Sequence, residues 1–284
     1  LTDVDPFTGH MRPIDLENCI KINKIKKINT VVIMHNSGLP VDMIGFGKLK
    51  KKYKFNIIED ACHALGAKYS LKKDDNVGNC KYSDISVFSF HPVKSITTGE
   101  GGMITTNNNK LYEQSKSLRN LCFGKKDRFN HEGIGWNYRM TNIQASLGVS
   151  QLKRIKLIVG KRHAVGKKYF EKLKDNPNIY IPETSRSYAK NIYWVIAIVI
   201  TNKGLKIDAK TLMKKLLNYG IQTRPFFWPM HKQKILKDKY IIDKKENYKN
   251  SEYISKYGLY LPSSLDIKND EIEFICKTVN ILVK

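Results

Sequence analysis

The chain has 284 residues, 41% of them apolar and 27% charged, and this composition is typical of a folded globular protein rather than a disordered one. Its formal net charge of +24 would suit a nucleic-acid binder, but the lysines are scattered over amphipathic patterns and no nucleic-acid-binding motif accompanies them. No apolar run approaches the ~20 residues of a membrane-spanning helix, so we predict neither a nucleic-acid partner nor a membrane partner.

The five cysteines form no CxxC pair and no Cys/His pair at metal-ligand spacing. We therefore expect no metal site and no disulfide framework, and a reducing cytoplasm fits this usage. The first ten residues lack the charged and apolar regions of a signal peptide. They also begin as if within a strand, so we expect that an N-terminal segment is missing from this numbering.

Along the first half of the chain, predicted strands alternate with predicted helices. The strands are expected at 31–34, 56–59, 85–90 and 102–106, and the helices at 42–53 and about 109–121. Such alternation favours an α/β fold with a mostly parallel sheet and helices on both of its faces. Ligands of these sheets bind beyond the carboxyl ends of the strands.

The second half of the chain begins with a long helical stretch from Thr141 to about residue 175, and we expect a break near Gly160. A strand at 193–200, a helix at 208–219 and a closing helix at 269–282 follow, which is typical of a small α+β domain. We therefore expect a large domain over 1–158 and a small C-terminal domain with a bridging helix over 159–284.

Lys94 follows an apolar strand and precedes a turn that holds Gly99, Gly101 and Gly102. Burial at a strand end lowers the pKa of an amine, and a neutral amine can form a Schiff base with a carbonyl. Position alone favours the alternative of an ordinary surface lysine, because such lysines are common.

Asp60 and Ser89 fall at the carboxyl ends of two predicted strands. A carboxylate there can pair with the ring nitrogen of a cofactor, or it can cap a following helix. A hydroxyl there can bind a phosphate or a nearby turn. His63 follows one turn later if a helix begins at Asp60, where it either faces the same pocket or is a satisfied core histidine.

Six stretches of the chain, in this order, resemble the pyridoxal phosphate (PLP)-dependent nucleotide-sugar aminotransferases. They are DVDPFTGH, EDACHALGA, FSFHPVKSITTGEGGM, NYRMTNIQASLGVSQL, TRPFFWPMH and YLPSS. The resemblance covers nearly the whole chain. It implies the fold-type I aminotransferase architecture, with PLP bound by the large domain.

The resemblance also implies roles for particular residues. Lys94 would form the Schiff base with PLP and shuttle a proton, and Asp60 would pair with the pyridine nitrogen. His63 would contact the ring hydroxyl side, and Ser89 the phosphate. Asn137 would reach the phosphate in the neighbouring subunit, so that a homodimer shares its active sites.

Arg139, Arg224 and His231 lie in stretches that, by resemblance, contact an anionic substrate. Arg139 is equally compatible with a structural ion pair, and His231 with a surface loop. The presence of Lys94, where related sugar dehydratases carry histidine, favours transamination over deoxygenation.

The implied reaction moves an amino group from L-glutamate, through pyridoxamine phosphate, to C4 of a nucleotide-linked 4-keto-6-deoxy sugar. The stretch at 119–142 is most similar to perosamine-synthase-like members. Transfer to a 3-keto sugar is the alternative.

One part of the family pattern has no counterpart here. Family members carry a preceding segment whose Gly-Ser/Thr turn binds the PLP phosphate at a helix N-terminus. Three interpretations remain: the numbered chain is a fragment, the segment is disordered and unnumbered, or the gene product is truncated. In the last case the chain would be a non-catalytic paralogue that acts as a partner subunit.

Overall fold

The structure is a computed structural model that describes residues 1–70, 75–124, 126–201, 204, 206–238 and 247–284. The helices of this described part are α1 (Pro13–Ile22), α2 (Met43–Tyr53), α3 (Asn109–Arg119), α4 (Asn142–Lys153), α5 (Ile155–Leu173), α6 (Ala209–Leu217), α7 (Lys234–Asp238), α8 (Lys249–Tyr257) and α9 (Asn269–Leu282). The strands are β1 (Thr30–Met34), β2 (Asn56–Asp60), β3 (Ile85–Ser89), β4 (Gly102–Thr105), β5 (Ile179–Tyr180), β6 (Ser185–Arg186), β7 (Ala189–Lys190), β8 (Ile196–Ile200), β9 (Arg224–Pro225) and β10 (Gly258–Leu261).

The first sheet has the strand order β1-β2-β3-β4. The first three strands are parallel and β4 is antiparallel to β3, which confirms the predicted mostly parallel sheet. Met34 lies opposite Asp60, and Asp60 opposite Val87. The carboxyl ends of β1, β2 and β3 therefore meet at one edge, and Asp60 and Ser89 lie there.

The two faces of this first sheet differ. Ile33, Ile57 and Phe88 point to the buried face and pack in one core with Phe46 of α2. On the opposite face Val32 is 63% exposed and Ile104 is 49% exposed. Within the described residues, the helix α2 therefore packs on the buried face, and the opposite face is partly exposed.

Local chemistry explains where several helices begin. The Asp42 carboxylate accepts a hydrogen bond from the Gly45 N–H at the start of α2, and Asp208 caps α6 in the same way through Thr211. Lys54 adopts a left-handed conformation and ends α2. The sequence predicts both helices but includes each aspartate as the first helical residue, whereas in the structure each aspartate is the cap that precedes the helix.

The second sheet has the order β5-β8-β10-β9, and its strands are antiparallel. Every residue of β8 and of β10 is buried, so this sheet is covered on both faces. α5, α6 and α9 pack on one face, and Phe226 and Ile254 pack on the other. The predicted strand at 193–200 is shorter than expected, because Tyr193 has φ +50° and the strand begins only at Ile196.

The long helical stretch divides at Arg154, so the expected break near Gly160 is wrong. Arg154 has φ −99° and ψ 5°, and its N–H closes the last turn of α4 on Gln151. Gly160 lies inside α5, where the first half packs against the first-sheet core and the second half against the second-sheet core. Within the described ranges, no helix combines the length and the apolar character needed to cross a membrane.

Candidate active site

Asp60 is the last residue of β2, at the carboxyl edge of the first sheet. Its Oδ1 accepts a hydrogen bond from the Cys62 N–H at 3.0 Å, and the carboxylate also interacts with the Cys62 thiol and with the charge of Lys94. No helix follows, because residues 61–67 form consecutive turns, so the helix-capping alternative is wrong. A carboxylate offers about four lone-pair sites, so Asp60 can still accept a hydrogen bond from a ligand.

His63 points into the same edge although no helix places it there. Its ring is buried and stacks on the indole of Trp194, with centroids 3.6 Å apart and planes at 17°. Burial, assisted by the charge of Lys94, lowers the pKa of His63 to about 3. Nδ1 of this neutral ring accepts the Ser37 N–H at 3.4 Å, so Nε2 carries the proton.

Lys94 lies in the turn after β3 and is half-buried. Its Nζ lies 4.4 Å from the centroid of the Trp194 ring and has no hydrogen-bond or ion-pair partner among the residues described. Burial lowers the pKa of Lys94, while its electrostatic interactions with Cys62 and Asp60 act in the opposite direction. The surface-lysine alternative does not describe this environment.

Cys62 contributes no nucleophile to this edge. Burial and the neighbouring Asp60 raise the pKa of its thiol to about 12, so it stays protonated.

Ser89 ends β3 opposite Gly102. Its Oγ accepts the His91 N–H at 3.4 Å, and its own O–H remains available as a donor. Ser89 lies two residues beyond Val87, which faces Asp60 across the strands. Asp60, His63, Ser89 and Lys94 therefore share one edge of the sheet.

Asn137 and Arg139 lie elsewhere, on an exposed segment before α4. Asn137 pairs with Asn120 through a single β-bridge, and Arg139 Nη1 donates to Asn120 Oδ1 at 2.7 Å. Arg139 is thus bound to an amide rather than to a carboxylate.

Arg224 and His231 flank the loop that follows β9. Arg224 is exposed, while His231 Nε2 lies 2.9 Å from Glu252 Oε1 of α8. The ring of His231 also stacks on Tyr248 at 4.7 Å, so it is a tethered residue rather than a free loop histidine. Phe227 of this loop lies near the edge, with its ring centroid 5.8 Å from that of His63.

Trp194 is the residue that sequence reasoning missed. It lies in no motif, and its apolar surroundings suggest only a strand. Its indole Nε1 donates to the Val93 carbonyl at 2.9 Å, beside Lys94. The arrangement arises because Tyr193 leaves the strand path, which no local pattern indicates.

These residues fit PLP. A half-buried amine without an acceptor can bind an aldehyde, and the Asp60 carboxylate can pair with a protonated ring nitrogen. The Nε2–H of His63 can donate to a ring hydroxyl and the Ser89 O–H to a phosphate. The set contains no cluster of the kind that binds metals, within the part of the chain described.

Comparison with known proteins gives consistent matches. The model of the DegT/DnrJ/EryC1/StrS aminotransferase family matches residues 1–280. The GDP-perosamine synthase of Caulobacter vibrioides is 31% identical over 273 residues, which cover 96% of this chain and 70% of that protein. The UDP-4-amino-4,6-dideoxy-N-acetyl-β-L-altrosamine transaminase of Campylobacter jejuni is 29% identical over 91% of this chain and 66% of its own length.

Among solved structures, Helicobacter pylori PseC, an aminotransferase involved in the biosynthesis of pseudoaminic acid, matches with a TM-score of 0.87 and 26% identity. The match covers 100% of this chain and 73% of PseC. The GDP-4-keto-6-deoxymannose-3-dehydratase ColD, at 19% identity and a TM-score of 0.85, shares the fold. The fold-type I architecture predicted from the sequence is confirmed by these neighbours.

Proposed function

Because the chain belongs to the DegT/DnrJ/EryC1/StrS family of PLP-dependent sugar aminotransferases, we propose that it transfers an amino group from L-glutamate to C4 of a nucleotide-linked 4-keto-6-deoxy sugar. The observation that carries the proposal is the half-buried Lys94 amine, which lies near Asp60 and His63. Among the described residues this amine has no hydrogen-bond or ion-pair partner. The 4-amino-4,6-dideoxy sugar in the name of the Campylobacter relative supports C4.

Lys94 would bind the aldehyde carbon of the cofactor and, when released, carry a proton between the reacting carbons. Bound PLP supplies an electron sink for the carbon that loses the proton. Burial favours the free-base form of the amine, which is the form that attacks a carbonyl and accepts a proton.

Asp60 and His63 would set the electronic state of the bound ring. The Asp60 carboxylate would keep a proton on the ring nitrogen by accepting its hydrogen bond. His63 is neutral and its Nδ1 is occupied by Ser37, so its Nε2–H donates to the ring hydroxyl. Ser89 would donate to the phosphate.

We further propose a homodimer in which Asn137 reaches the phosphate in the partner's site. α3 and α4 contain no buried residue, yet Ile143 is 83% exposed and Trp136 and Tyr138 are also exposed. Large apolar patches of this kind mark interaction surfaces.

Three further residues would contact the anionic substrate. They are Arg139, on the same exposed segment as Asn137, and Arg224 and His231, around the loop after β9.

We also infer the division into a PLP-binding domain over 1–158 and a small domain over 159–284. Each part contains one of the two larger sheets, and α5 links their cores. The alternative substrate remains a 3-keto sugar, and the alternative role is that of a non-catalytic partner subunit.

The test uses the full protein loaded with PLP and its Lys94→Ala variant, with the exposed Lys110→Ala as the matched control. We expect wild type and the control to absorb in the visible, to lose that absorbance with glutamate, and to aminate a 4-keto-6-deoxy sugar nucleotide by NMR. Lys94→Ala should do none of these. Turnover in Lys94→Ala would contradict the role of Lys94, and a colourless wild type would favour the non-catalytic alternative.

A panel of 4-keto and 3-keto sugar nucleotides distinguishes the two substrate classes. Amination at C3 alone would overturn the assignment to C4 while leaving the role of Lys94 intact.

A further inference from the structure

We propose that Trp194 is a positioning residue that fixes the Lys94 amine and the His63 ring relative to each other. The inference rests on the role proposed above for Lys94. It adds a residue from the 191–194 segment, which lies outside every motif of the sequence.

Trp194 makes three contacts at the carboxyl edge of the first sheet. Its Nε1–H donates to the carbonyl of Val93, the residue before Lys94, at 2.9 Å. The Lys94 Nζ lies 4.4 Å from its ring centroid, and the ring of His63 lies 3.6 Å away. A single side chain therefore links the turn that carries Lys94 to the turn that carries His63.

The backbone that presents Trp194 is strained and firmly held. Tyr193 has φ +50°, which is uncommon for an aromatic residue and persists only where the surroundings impose it. Its N–H donates to Asn191 Oδ1 at 2.8 Å, and its hydroxyl donates to the Pro182 carbonyl at 2.9 Å. Arg162 Nη1 donates to the Trp194 carbonyl at 2.8 Å.

Gly38 leaves the space that the 193–194 backbone occupies. Any Cβ at Gly38 would lie 2.6 Å from the backbone nitrogen of Trp194, and Gly38 itself has φ +98°. The Gly38 carbonyl also accepts the Ile192 N–H at 3.0 Å. The close contact between Gly38 and the 193–194 backbone, together with the strained φ of Tyr193, holds the indole of Trp194 in one position. Residues held in strain cluster at functional sites.

Two opposing effects act on the Lys94 amine. Burial favours its free base, whereas an aromatic face favours its ammonium form. The titratable side chains around it are the Asp60 carboxylate, the protonated Cys62 thiol and the neutral His63 ring. His91 and Glu100 pair with each other at 3.8 Å on the exposed side of the same turn. Removal of the ring, with burial retained, should therefore favour the free base.

The experiment measures the acylation of Lys94 by acetic anhydride across a pH series in the full-length protein without added PLP, with the labelled peptide quantified by mass spectrometry. The variants are Trp194→Phe and Trp194→Leu. Tyr169→Phe is the matched control, because it also removes a hydrogen bond to a backbone carbonyl, that of Pro262, but in the second core. Circular dichroism verifies that each variant is folded.

We expect the labelling midpoint of Lys94 to lie about half a pH unit lower in Trp194→Leu than in Trp194→Phe, because Phe retains the aromatic face. Tyr169→Phe should match wild type. An equal or higher midpoint in Trp194→Leu would overturn the proposal. If Trp194→Leu does not fold, Trp194→Phe still tests the hydrogen bond: faster acylation of Lys94 at a fixed pH is expected, and an unchanged rate contradicts it.

The outcome is separable from that of the proposed function. If Lys94→Ala keeps both colour and turnover, the proposed function fails, while the midpoints still report on Trp194. If the midpoints coincide and Lys94→Ala is colourless, Lys94 keeps its role and Trp194 does not position it.

Discussion

The two larger sheets of this protein differ in how completely their strands are buried. β8 and β10 are buried along their whole length, whereas Val32 of β1 and Ile104 of β4 lie on an open face of the first sheet. Asp60 and Ser89 end strands on the less covered sheet. The fully buried sheet instead carries, just before β8, the strained segment that presents Trp194. The candidate catalytic residues therefore end strands of the first sheet, and the strained segment that holds Trp194 precedes a strand of the second sheet.

The largest expected effect tests the burial of the second sheet. Ile198→Ala should lower the free energy of unfolding by about 2–5 kcal/mol, because a cavity forms in a core that is closed on both faces. The control Val32→Ala should change it by less than about 0.5 kcal/mol. Urea unfolding measures both, and equal losses would contradict the difference between the sheets.

Asp60→Asn tests whether the open sheet carries chemistry rather than stability. We expect the turnover number to fall by about 100-fold or more, because an amide accepts the ring-nitrogen proton far less well than a carboxylate. The free energy of unfolding should change little, since the side-chain oxygen of an asparagine can also accept the Cys62 N–H that Asp60 accepts. A large loss of stability with unchanged turnover would assign Asp60 a structural role instead.

Glu59, beside Asp60 but on the buried face, should behave in the opposite way. Burial opposes its ionised form, but hydrogen bonds from His35, Ser83 and Tyr69 outweigh burial and hold the pKa of Glu59 below its usual value of 4.5. A group with a lowered pKa stabilises the fold above its unfolded pKa, and this contribution is lost as the pH falls through the folded pKa.

The Glu59→Gln variant should therefore be less stable by about 1–3 kcal/mol at pH 7. The gap to wild type should narrow below a pH of about 4.5, as the wild-type carboxylate is protonated. Urea unfolding as a function of pH measures this. A gap that is constant from pH 7 to pH 3 would show that the charge of Glu59 does not contribute.

The smallest effects should be alike in both regions. Asp42→Ala and Asp208→Ala each remove one helix cap, on α2 and α6 respectively, and each should cost about 1 kcal/mol. Capping is a local interaction, so the difference in burial between the two sheets should not affect these two changes in the free energy of unfolding. Unfolding free energies that differ by several-fold would indicate that one cap also supports tertiary packing.

Much of this fold could be predicted because local sequence patterns indicate many of its helices and strands. Short apolar runs indicate β1, β2 and β3, and an amphipathic pattern indicates α2. The motif order also predicts that Asp60, Ser89 and Lys94 lie at one edge, since parallel strands end together. The errors occurred where distant packing overrides local preference: α4 and α5 divide at Arg154 rather than Gly160 because each half of α5 packs against a different core.

By itself, the sequence determined the class of the fold, the order of its elements and the residues with reactive chemistry, because periodicity, caps and side-chain type are local properties. Only the tertiary structure decided that Trp194 covers Lys94, that His63 is neutral, and that His231 is held by Glu252. Each of these depends on burial or on contact between segments far apart in the chain. Burial and contact arise only when the two sheets pack together.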